Sequence, residues 1–432
     1  MYRDTFDHKG PLLYFINYLG LKISYYSGAW LLEFVMLFVW VVLTYCTARL
    51  FCRKLPACVV AFLGVTALFG CYCGGNYPEC YALPFISGAL YVFTDYFVNY
   101  KITNLRLMLC GGTLACALML KPNTISVWVV FSLAVLVQAF QTGEIKTIPR
   151  FLGFFLLGFG AVLAPIFLYL GVKGIIPDFI RTYFLFNFEY SGDAGAKSSL
   201  WTAICFVVHE WMLPSLVAAF LWAIQEKGKG NIYWKAMAVY LILSLLMSGM
   251  SGNNYPYYRI SMIPCYAAPL AKALDIEYDR RNTHSLQLLA VVVAAVFAAN
   301  WYTPLLTAVN QLRHTTREID LGDEHHCAIF QLIEERTTPE ENIIVYGNED
   351  SFYFYGHRFA ASKYSFQYPI VLMDEEIRAE FFDDLDKNHP KLIIVQSLWC
   401  DDEYIQAFLE SYPEYELITD FDDYAVYEYH GK

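Results

Sequence analysis

Long apolar runs separated by short polar connections dominate the chain between residues 28 and 303. A helix needs about 20 apolar residues to cross a bilayer, and most of these runs reach or approach that length. The runs cover 28–50, 57–73, 80–99, 105–120, 124–141, 150–172, 200–224, 233–250, 258–273 and 286–303. The pattern predicts an α-helical polytopic membrane protein with about ten spans, of which the shortest are marginal for a full crossing.

Basic residues are unevenly distributed over the connections. The connections after the first, third, fifth, seventh and ninth runs contain Lys or Arg, whereas 74–79 and 251–257 contain neither. Because loops rich in Lys and Arg stay in the cytoplasm, the first set is predicted to be cytoplasmic. The N-terminus and everything after the tenth run are then predicted to face outward. The basic residues are Arg49, Arg53, Lys54, Lys101, Arg106, Lys146, Arg150, Lys227, Lys229, Lys235, Lys272, Arg280 and Arg281.

From about residue 310 the period of the pattern alternates between that of helices and that of strands. Amphipathic helices are predicted at 327–337, 375–389 and 401–412, and strands at 341–347, 390–396, 415–421 and 424–430. Residues 310–432 are therefore predicted to form an extracytoplasmic α/β domain with a partly parallel sheet, following a transmembrane domain at 1–309.

Composition agrees with a membrane protein, because 57% of the 432 residues are hydrophobic and only 16% are charged. The formal net charge of −11 and the lack of a basic patch argue against nucleic-acid binding. The chain has no nucleotide-binding motif, which argues against a nucleotide-driven pump. Charged residues in the middle of the runs are few, with Glu33 and Glu210 near run ends, which weakens the case for an ion-coupled transporter.

The 12 cysteines do not form a disulfide framework, since most lie in apolar runs where Cys packs as a small hydrophobe. Cys71 and Cys73 form a C-x-C pair without a nearby His, so the sequence gives little support to a metal or redox site there. The sequence leaves open whether Cys327 and Cys400 pair in the tail, and whether a divalent cation takes part in function.

The segments predicted to face outward carry carboxylates, cations and many aromatic rings. Cations at the membrane edge suit a lipid-borne phosphate, a nearby carboxylate can deprotonate a sugar hydroxyl, and aromatic faces bind sugars and polyprenyl chains. Ordinary structural roles compete with these: Asp4, Asp7 and His8 in a local polar network, Lys121 extending to the membrane surface, and Arg259 as an interface anchor. The charged candidates are Asp4, Asp7, Glu79, Lys9, Lys121, Arg181 and Arg259.

Four stretches together resemble a known family. YRDTFDHKGPLLYFINYLG at the N-terminus resembles the first external loop of bacterial GT-C glycosyltransferases, the group that includes protein mannosyltransferases and the lipid A aminoarabinose transferase. GGNYPECYALPFISGALYVF resembles the second signature of the group, in which an acidic residue opens a helix. LMLKPNTI and GNNYPYYRISMIPCYA are similar to two further patterns, so that the resemblance covers approximately residues 1–303.

The resemblance implies transfer of a sugar, with inversion, from a polyprenyl-phosphate donor to a glycan, lipid or protein acceptor outside the cytoplasmic membrane, in cell-envelope glycan assembly. It implies that Lys9 contacts the donor phosphate and that Glu79 is the second acidic site. The candidate catalytic carboxylates are Glu79 and Asp7, and the candidate substrate-binding residues are Lys9, His8, Asn76, Arg259, Tyr257 and Tyr258.

One departure from the family pattern concerns the N-terminus. In the family the principal catalytic carboxylate and a first transmembrane helix precede the YRD motif, with which this sequence begins. We expect that a preceding helix has been lost or left out of the sequence. Two alternatives to an active transferase stay open: a catalytically inactive homologue, or a protein that flips or polymerises lipid-linked glycans.

Overall fold

The computed structural model describes residues 2–193, 195–209, 211–279, 324–365, 374–421 and 423–431. The chain divides into two compact units. One comprises Lys9–Ile176 and Tyr183–Leu312, and the other comprises Met1–His8, Pro177–Thr182 and Arg313–Lys432. We describe each unit by itself and call them the membrane unit and the tail unit.

The described part of the membrane unit is helical with short connections. One four-residue helix, α8, belongs to both units, because Ile176 is assigned to the membrane unit and the residues after it to the tail unit. Most of the helices begin and end in short connections, as the apolar pattern predicts. The helices are α1 Pro11–Ile23, α2 Gly28–Arg49, α3 Lys54–Phe69, α4 Pro78–Asn99, α5 Asn104–Leu118, α6 Ser126–Thr142, α7 Ile148–Val172, α8 Ile176–Phe179, α9 Phe186–Asp193, α10 Gly195–Val207, α11 Met212–Gln225, α12 Lys229–Ser248 and α13 Ala267–Asp279. The described residues also form a π-helical turn, Ile180–Leu185, and the 3₁₀ segments Pro122–Thr124, Ile145–Thr147 and Pro256–Tyr266.

The predicted polytopic α-helical class is confirmed, but the described helices long enough to cross a membrane are fewer than ten. Four reach that length, or five if the bent pair formed by α10 and α11 counts as one span. α3, α5 and α6 are apolar but shorter. The run at 258–273 begins as a 3₁₀ helix, in which Pro264 lacks the N–H that an α-helix would use. The predicted span 286–303 lies outside the described residues.

The segment Ile145–Val172, which contains α7, presents its apolar side chains outward, with only 6% of its most apolar window buried. In water such a surface would be unstable, whereas in lipid it is the expected one. α7 packs on α5 by direct backbone contact: a Cβ added at Gly111 would lie 1.9 Å from the carbonyl oxygen of Phe155, and one at Gly158 equally close to that of Met108. Small residues at crossings of this kind are typical of membrane helix pairs.

The connections rich in Lys and Arg meet at one end of the helix bundle. Arg53 N–H donates to Asp275 at 3.0 Å, and the Lys229 ammonium lies 4.1 Å from the centre of the Tyr100 ring. Arg150 donates to the side-chain oxygen of Asn104, which begins α5. The opposite end is formed by the starts of α4 and α6 and the ends of α3, α5 and α12. The charge asymmetry used to predict topology is therefore also an asymmetry of the folded bundle.

The tail unit has the predicted α/β organisation. Strands β1 Ile343–Tyr346 and β2 Leu392–Gln396 are parallel, while β4 Tyr424–Tyr429 pairs antiparallel with both β2 and β3 Tyr415–Asp420, in the order β1-β2-β4-β3. Helices α14 Glu324–Arg336, α15 Ser351–Gly356, α16 Glu375–Asn388 and α17 Glu403–Ser411 accompany the sheet. Asp374 and Asp402 cap α16 and α17 by accepting backbone N–H bonds, which explains where both helices begin.

The tail unit also contains the N-terminal residues up to His8. Phe6 N–H donates to the Lys363 carbonyl oxygen at 2.8 Å, and the Phe6 ring lies 5.0 Å from that of Tyr364. Tyr2 is buried and contacts the Phe179 ring at 5.4 Å. The unit therefore joins distant parts of the sequence, and the predicted boundary at 309/310 stays a prediction. Cys327 and Cys400 are free thiols.

Candidate functional site

Glu79 lies in the first turn of α4 and is only 1% exposed. Tyr77 is the N-terminal cap residue and Pro78 the first residue of the helix, a position at which proline needs no N–H partner. A carboxylate in the first turn interacts favourably with the helix dipole. One carboxylate oxygen, Oε1, is ion-paired with the Lys121 ammonium, and the other, Oε2, has no hydrogen-bond partner within the part of the chain that is described. Glu79 thus presents one open acceptor atom inside the protein.

Lys121 is a site residue that sequence reasoning assigned wrongly. It precedes the 3₁₀ turn Pro122–Thr124, and we predicted that its side chain would extend to the membrane surface. Instead the ammonium pairs with Glu79 and lies 4.1 Å from the centre of the Tyr258 ring. An ammonium over an aromatic face is attracted by the ring quadrupole. The family-like pattern around Lys121 was the signal that could have identified this residue.

Four tyrosines form a stacked group beside this ion pair. The Tyr77 and Tyr257 rings are nearly parallel, with centroids 4.2 Å apart and 6° between planes. The Tyr255 ring also stacks on Tyr257, with centroids 5.5 Å apart, and the Tyr258 ring packs edge-on against Tyr257 at 4.8 Å. Burial, and after it the neighbouring Tyr258 and Glu79, raises the pKa of Tyr257. The Tyr257 hydroxyl therefore stays protonated and can donate a hydrogen bond but cannot act as a base.

Arg259 is buried, and its guanidinium reaches back to the backbone. Its Nη2 donates to the Gly70 carbonyl oxygen and its Nε to that of Pro256, both at 3.3 Å. These bonds connect the 3₁₀ segment to the end of α3, next to the loop that leads to α4. The predicted role of Arg259 as an interface anchor does not fit a side chain that is 8% exposed. Arg259 lies in the same region as Glu79, and contact with a substrate stays a prediction.

Asn76 belongs to the loop between α3 and α4 and adopts a left-handed backbone conformation with φ of 58°. Its N–H donates to Glu33 at 2.9 Å and its side-chain oxygen accepts from the Tyr81 hydroxyl at 2.9 Å. Asn76 is exposed, and these two hydrogen bonds connect the loop to Glu33 of α2 and Tyr81 of α4. Contact of Asn76 with a substrate stays a prediction.

Lys9 belongs to the membrane unit, whereas Asp7 and His8 belong to the tail unit. Lys9 is half-buried, and the next residue, Gly10, packs so closely on Met119 that an added Cβ would lie 1.9 Å from its carbonyl oxygen. Lys9 and Lys121 are thus attached to backbone segments in contact. Asp7 and His8 approach each other at 3.9 Å, as in the predicted local network. The structure places Glu79, Lys121, Tyr257 and Tyr258 in contact, and it assigns Asp7 to a different unit.

A divalent cation finds no prepared site in the described ranges. No group of three or more His, Cys, Asp or Glu side chains there is arranged to hold a metal ion. Lys121 already compensates the negative charge of Glu79, so the ligands present do not fit a metal.

Comparison with known proteins adds an independent result. Residues 1–318 match the sequence model of the family described as "Putative competence-induced protein Ccs4 N-terminal domain". The chain belongs to this family. The description names a condition of induction and no chemistry. No curated protein sequence matches the chain.

Solved structures show that this Ccs4-family chain has a GT-C glycosyltransferase fold. ArnT from Cupriavidus metallidurans bound to undecaprenyl phosphate superimposes with a TM-score of 0.61 at 12% identity, over 98% of this chain and 88% of ArnT. The apo state of the same protein gives 0.57 at 13% identity over the same shares. The oligosaccharyltransferase AglB from Archaeoglobus fulgidus, in complex with an inhibitory peptide and a dolichol-phosphate, gives 0.50 at 14% identity, over 92% of this chain and 62% of AglB. The resemblance to GT-C proteins inferred from the motifs is confirmed at the level of the fold.

Proposed function

We propose that this chain is a membrane glycosyltransferase that transfers a sugar from a polyprenyl-phosphate donor to an acceptor in the cell envelope. The observation that carries the proposal is the buried pair of Glu79 and Lys121, with one carboxylate oxygen open and tyrosine rings alongside. The fold is shared with ArnT, a protein solved with undecaprenyl phosphate bound. A base, a cation and aromatic faces are the three elements that such a transfer needs.

In the proposed reaction Glu79 acts as the general base. Its open oxygen, Oε2, accepts the proton of an acceptor hydroxyl while the hydroxyl oxygen attacks the anomeric carbon of the donor sugar. The bond between that carbon and the phosphate oxygen breaks, and its electron pair leaves with the polyprenyl phosphate. Attack from the face opposite the leaving group inverts the configuration at the anomeric carbon. Asp7 is the second candidate carboxylate, and the same assay tests it.

In this proposal the lysines bind the phosphate of the polyprenyl-phosphate donor. Lys121 is close enough to the open oxygen of Glu79 to stabilise negative charge developing on the leaving phosphate, as charge-assisted hydrogen bonds do. Lys9, whose segment packs on the one that carries Lys121, supplies a second positive charge, with His8 next to it in sequence. Arg259 holds the 3₁₀ segment that carries Tyr257 and Tyr258, whose rings receive the sugar.

The site lies at the end of the bundle opposite the connections rich in Lys and Arg. If those connections are cytoplasmic, the site opens at the outer face of the cytoplasmic membrane and the tail domain is extracytoplasmic. A lipid-linked donor reaches such a site from the outer leaflet. The acceptor is then a glycan, lipid or protein of the envelope.

The test uses the full-length chain in detergent and undecaprenyl phosphate as the probe. We expect wild-type protein to bind it, and Lys121→Met and Lys9→Ala each to weaken binding at least about tenfold, because each removes a charge from the phosphate. Glu79→Gln should retain binding and lose transfer from undecaprenyl-phosphate esters of glucose, mannose or aminoarabinose to membrane acceptors. Lys173→Met, a change at an exposed lysine just after α7, is the matched control.

The outcomes distinguish an active transferase from an inactive homologue and test both candidate carboxylates. Absence of binding by wild-type protein contradicts the proposal. Binding without transfer of any of the three sugars favours the inactive homologue. Wild-type turnover in both the Glu79→Gln and the Asp7→Asn variants removes both carboxylates from the catalytic role.

A further inference from the structure

A second buried carboxylate, that of Glu33, lies in the second turn of α2 and is 2% exposed. Both of its oxygens accept hydrogen bonds from the loop that precedes α4. The Tyr72 hydroxyl donates to Oε2 and the Asn76 N–H donates to Oε1, each at 2.9 Å. A carboxylate inside a membrane helix is unfavourable unless its acceptor sites are filled, and here the loop fills them.

The loop at 72–77 has a strained backbone that needs outside support. Cys73, Gly74, Gly75 and Asn76 in succession have φ values of +47°, +92°, +86° and +58°. Such values are sparsely populated except for glycine and persist where surrounding contacts hold them. The strained residues end directly before Tyr77 and Pro78, which begin α4 and bring Glu79 into its first turn.

Space at Gly75 shows how closely the loop fits the carboxylate. A Cβ added there would lie 2.3 Å from the Tyr72 hydroxyl oxygen and 2.7 Å from Oε2 of Glu33. At Gly74, which has the same kind of backbone conformation, an added Cβ would meet nothing within 4 Å. The contact with Glu33 therefore constrains the loop at Gly75 and leaves Gly74 free of steric conflict.

We infer that Glu33 is a positioning residue for Glu79. It fixes the loop that starts α4, and thereby the place of the Glu79 carboxylate and of the Tyr77 ring. This inference rests on the proposed function, because it assigns to Glu33 a role in the geometry of that site. Glu33 is not itself a base: both of its oxygens are occupied, whereas Oε2 of Glu79 is open.

The test compares Glu33→Gln, Tyr72→Phe and Gly75→Ala, with Gly74→Ala as the matched control. The two glycine changes place alanine at a similar positive φ, and only one of them creates a clash with the carboxylate. We expect the first three variants to bind undecaprenyl phosphate within about twofold of wild type and to lose about 100-fold in kcat, the loss that a displacement near 1 Å produces. Gly74→Ala carries the same backbone strain without the clash, so its kcat loss and its acceleration of exchange in this loop should be clearly smaller than those of Gly75→Ala.

Amide hydrogen exchange supplies a readout that does not depend on transfer. In Glu33→Gln and Gly75→Ala, exchange should accelerate at residues 72–79 and stay unchanged in the tail unit. Unchanged exchange there, or kcat values equal to wild type in all three variants while Glu79→Gln is inactive, would overturn the inference. If wild-type protein itself neither binds the probe nor transfers sugar, the proposed function fails, and the exchange result still decides whether Glu33 holds the loop. Tyr72→Phe removes one hydroxyl only, so it serves if Glu33→Gln does not fold.

Discussion

Replacing Lys121 by Met tests whether the ion pair with Glu79 organises the candidate site. The side chain of Glu79 is 2% exposed and that of Lys121 is 23% exposed. Removing one partner of a buried pair costs about 3–5 kcal/mol, because the remaining charge stays buried without compensation. Lys121 is partly accessible, so we take the lower value, about 3 kcal/mol. The lost contact with the Tyr258 ring adds about 0.5–1 kcal/mol.

Adding Glu79→Gln to Lys121→Met separates the energy of the ion pair from the other effects of the lysine substitution. In Glu79→Gln/Lys121→Met no charge remains, so the double variant should be less destabilised than the sum of the single variants by about 2 kcal/mol, the coupling energy expected for a contacting pair. Sugar transfer should stay lost in the double variant, because it lacks the proposed base.

Thermal unfolding of the full-length protein in detergent measures these differences. With roughly 2 °C per kcal/mol for a large domain, Lys121→Met should lower the midpoint by about 6 °C or more. Membrane proteins often unfold irreversibly, so all variants need the same scan rate. Lys173→Met should change the midpoint by no more than about 2 °C, since surface substitutions change stability little. Strictly additive effects of the two site substitutions would refute the reasoning.

Three further predictions concern other parts of the molecule. Burial raises the pKa of Glu380 and hydrogen bonds from Lys363 and Tyr364 lower it, with a net lowering from 4.5, so the stabilisation by these bonds is present above pH 4.5 and is lost as the pH falls through the lowered pKa. The protection factors of the tail-sheet amides, which correct each exchange rate for its intrinsic pH dependence, should therefore fall in the full chain below pH 4.5, and less so in Glu380→Gln. Gly10→Ala should destabilise by about 1–3 kcal/mol in thermal unfolding because of its contact with Met119, whereas Gly160→Ala, in open space on α7, should stabilise by about 0.5–1 kcal/mol. Tyr257→Leu should raise KM for the donor sugar about 3–10-fold while binding of undecaprenyl phosphate is kept, because only the sugar loses its aromatic face.

Much of the fold could be predicted from the sequence because its signals are local. The apolar runs became α2, α4, α7 and α12, and the tail strands and helices lie within a few residues of their predicted places. One difference also has a local cause. The run predicted at 258–273 begins as a 3₁₀ helix and contains Pro264, which favours that form.

The candidate site could be predicted only in part, because its residues come from separate segments. Glu79 was identified by its motif, but its partner Lys121 is 42 residues away, and the sequence alone favoured a surface position for that lysine. Glu33 is 39 residues from Tyr72 and drew notice only as a charge near the end of a run. Asp7 and Lys9, two residues apart, fall in different units.

The sequence by itself determined which segments are helices, which connections are basic and where the α/β tail begins. The reason is that the length of an apolar run and the spacing of its apolar residues are properties of a single helix or strand. Only the tertiary structure decided which charges are buried together. A buried carboxylate is stable only with donors at hydrogen-bonding distance, and those donors are brought to Glu79 and Glu33 by the packing of helices far apart in the chain. Pairing across the bundle, which no local pattern encodes, therefore gives this protein its candidate site.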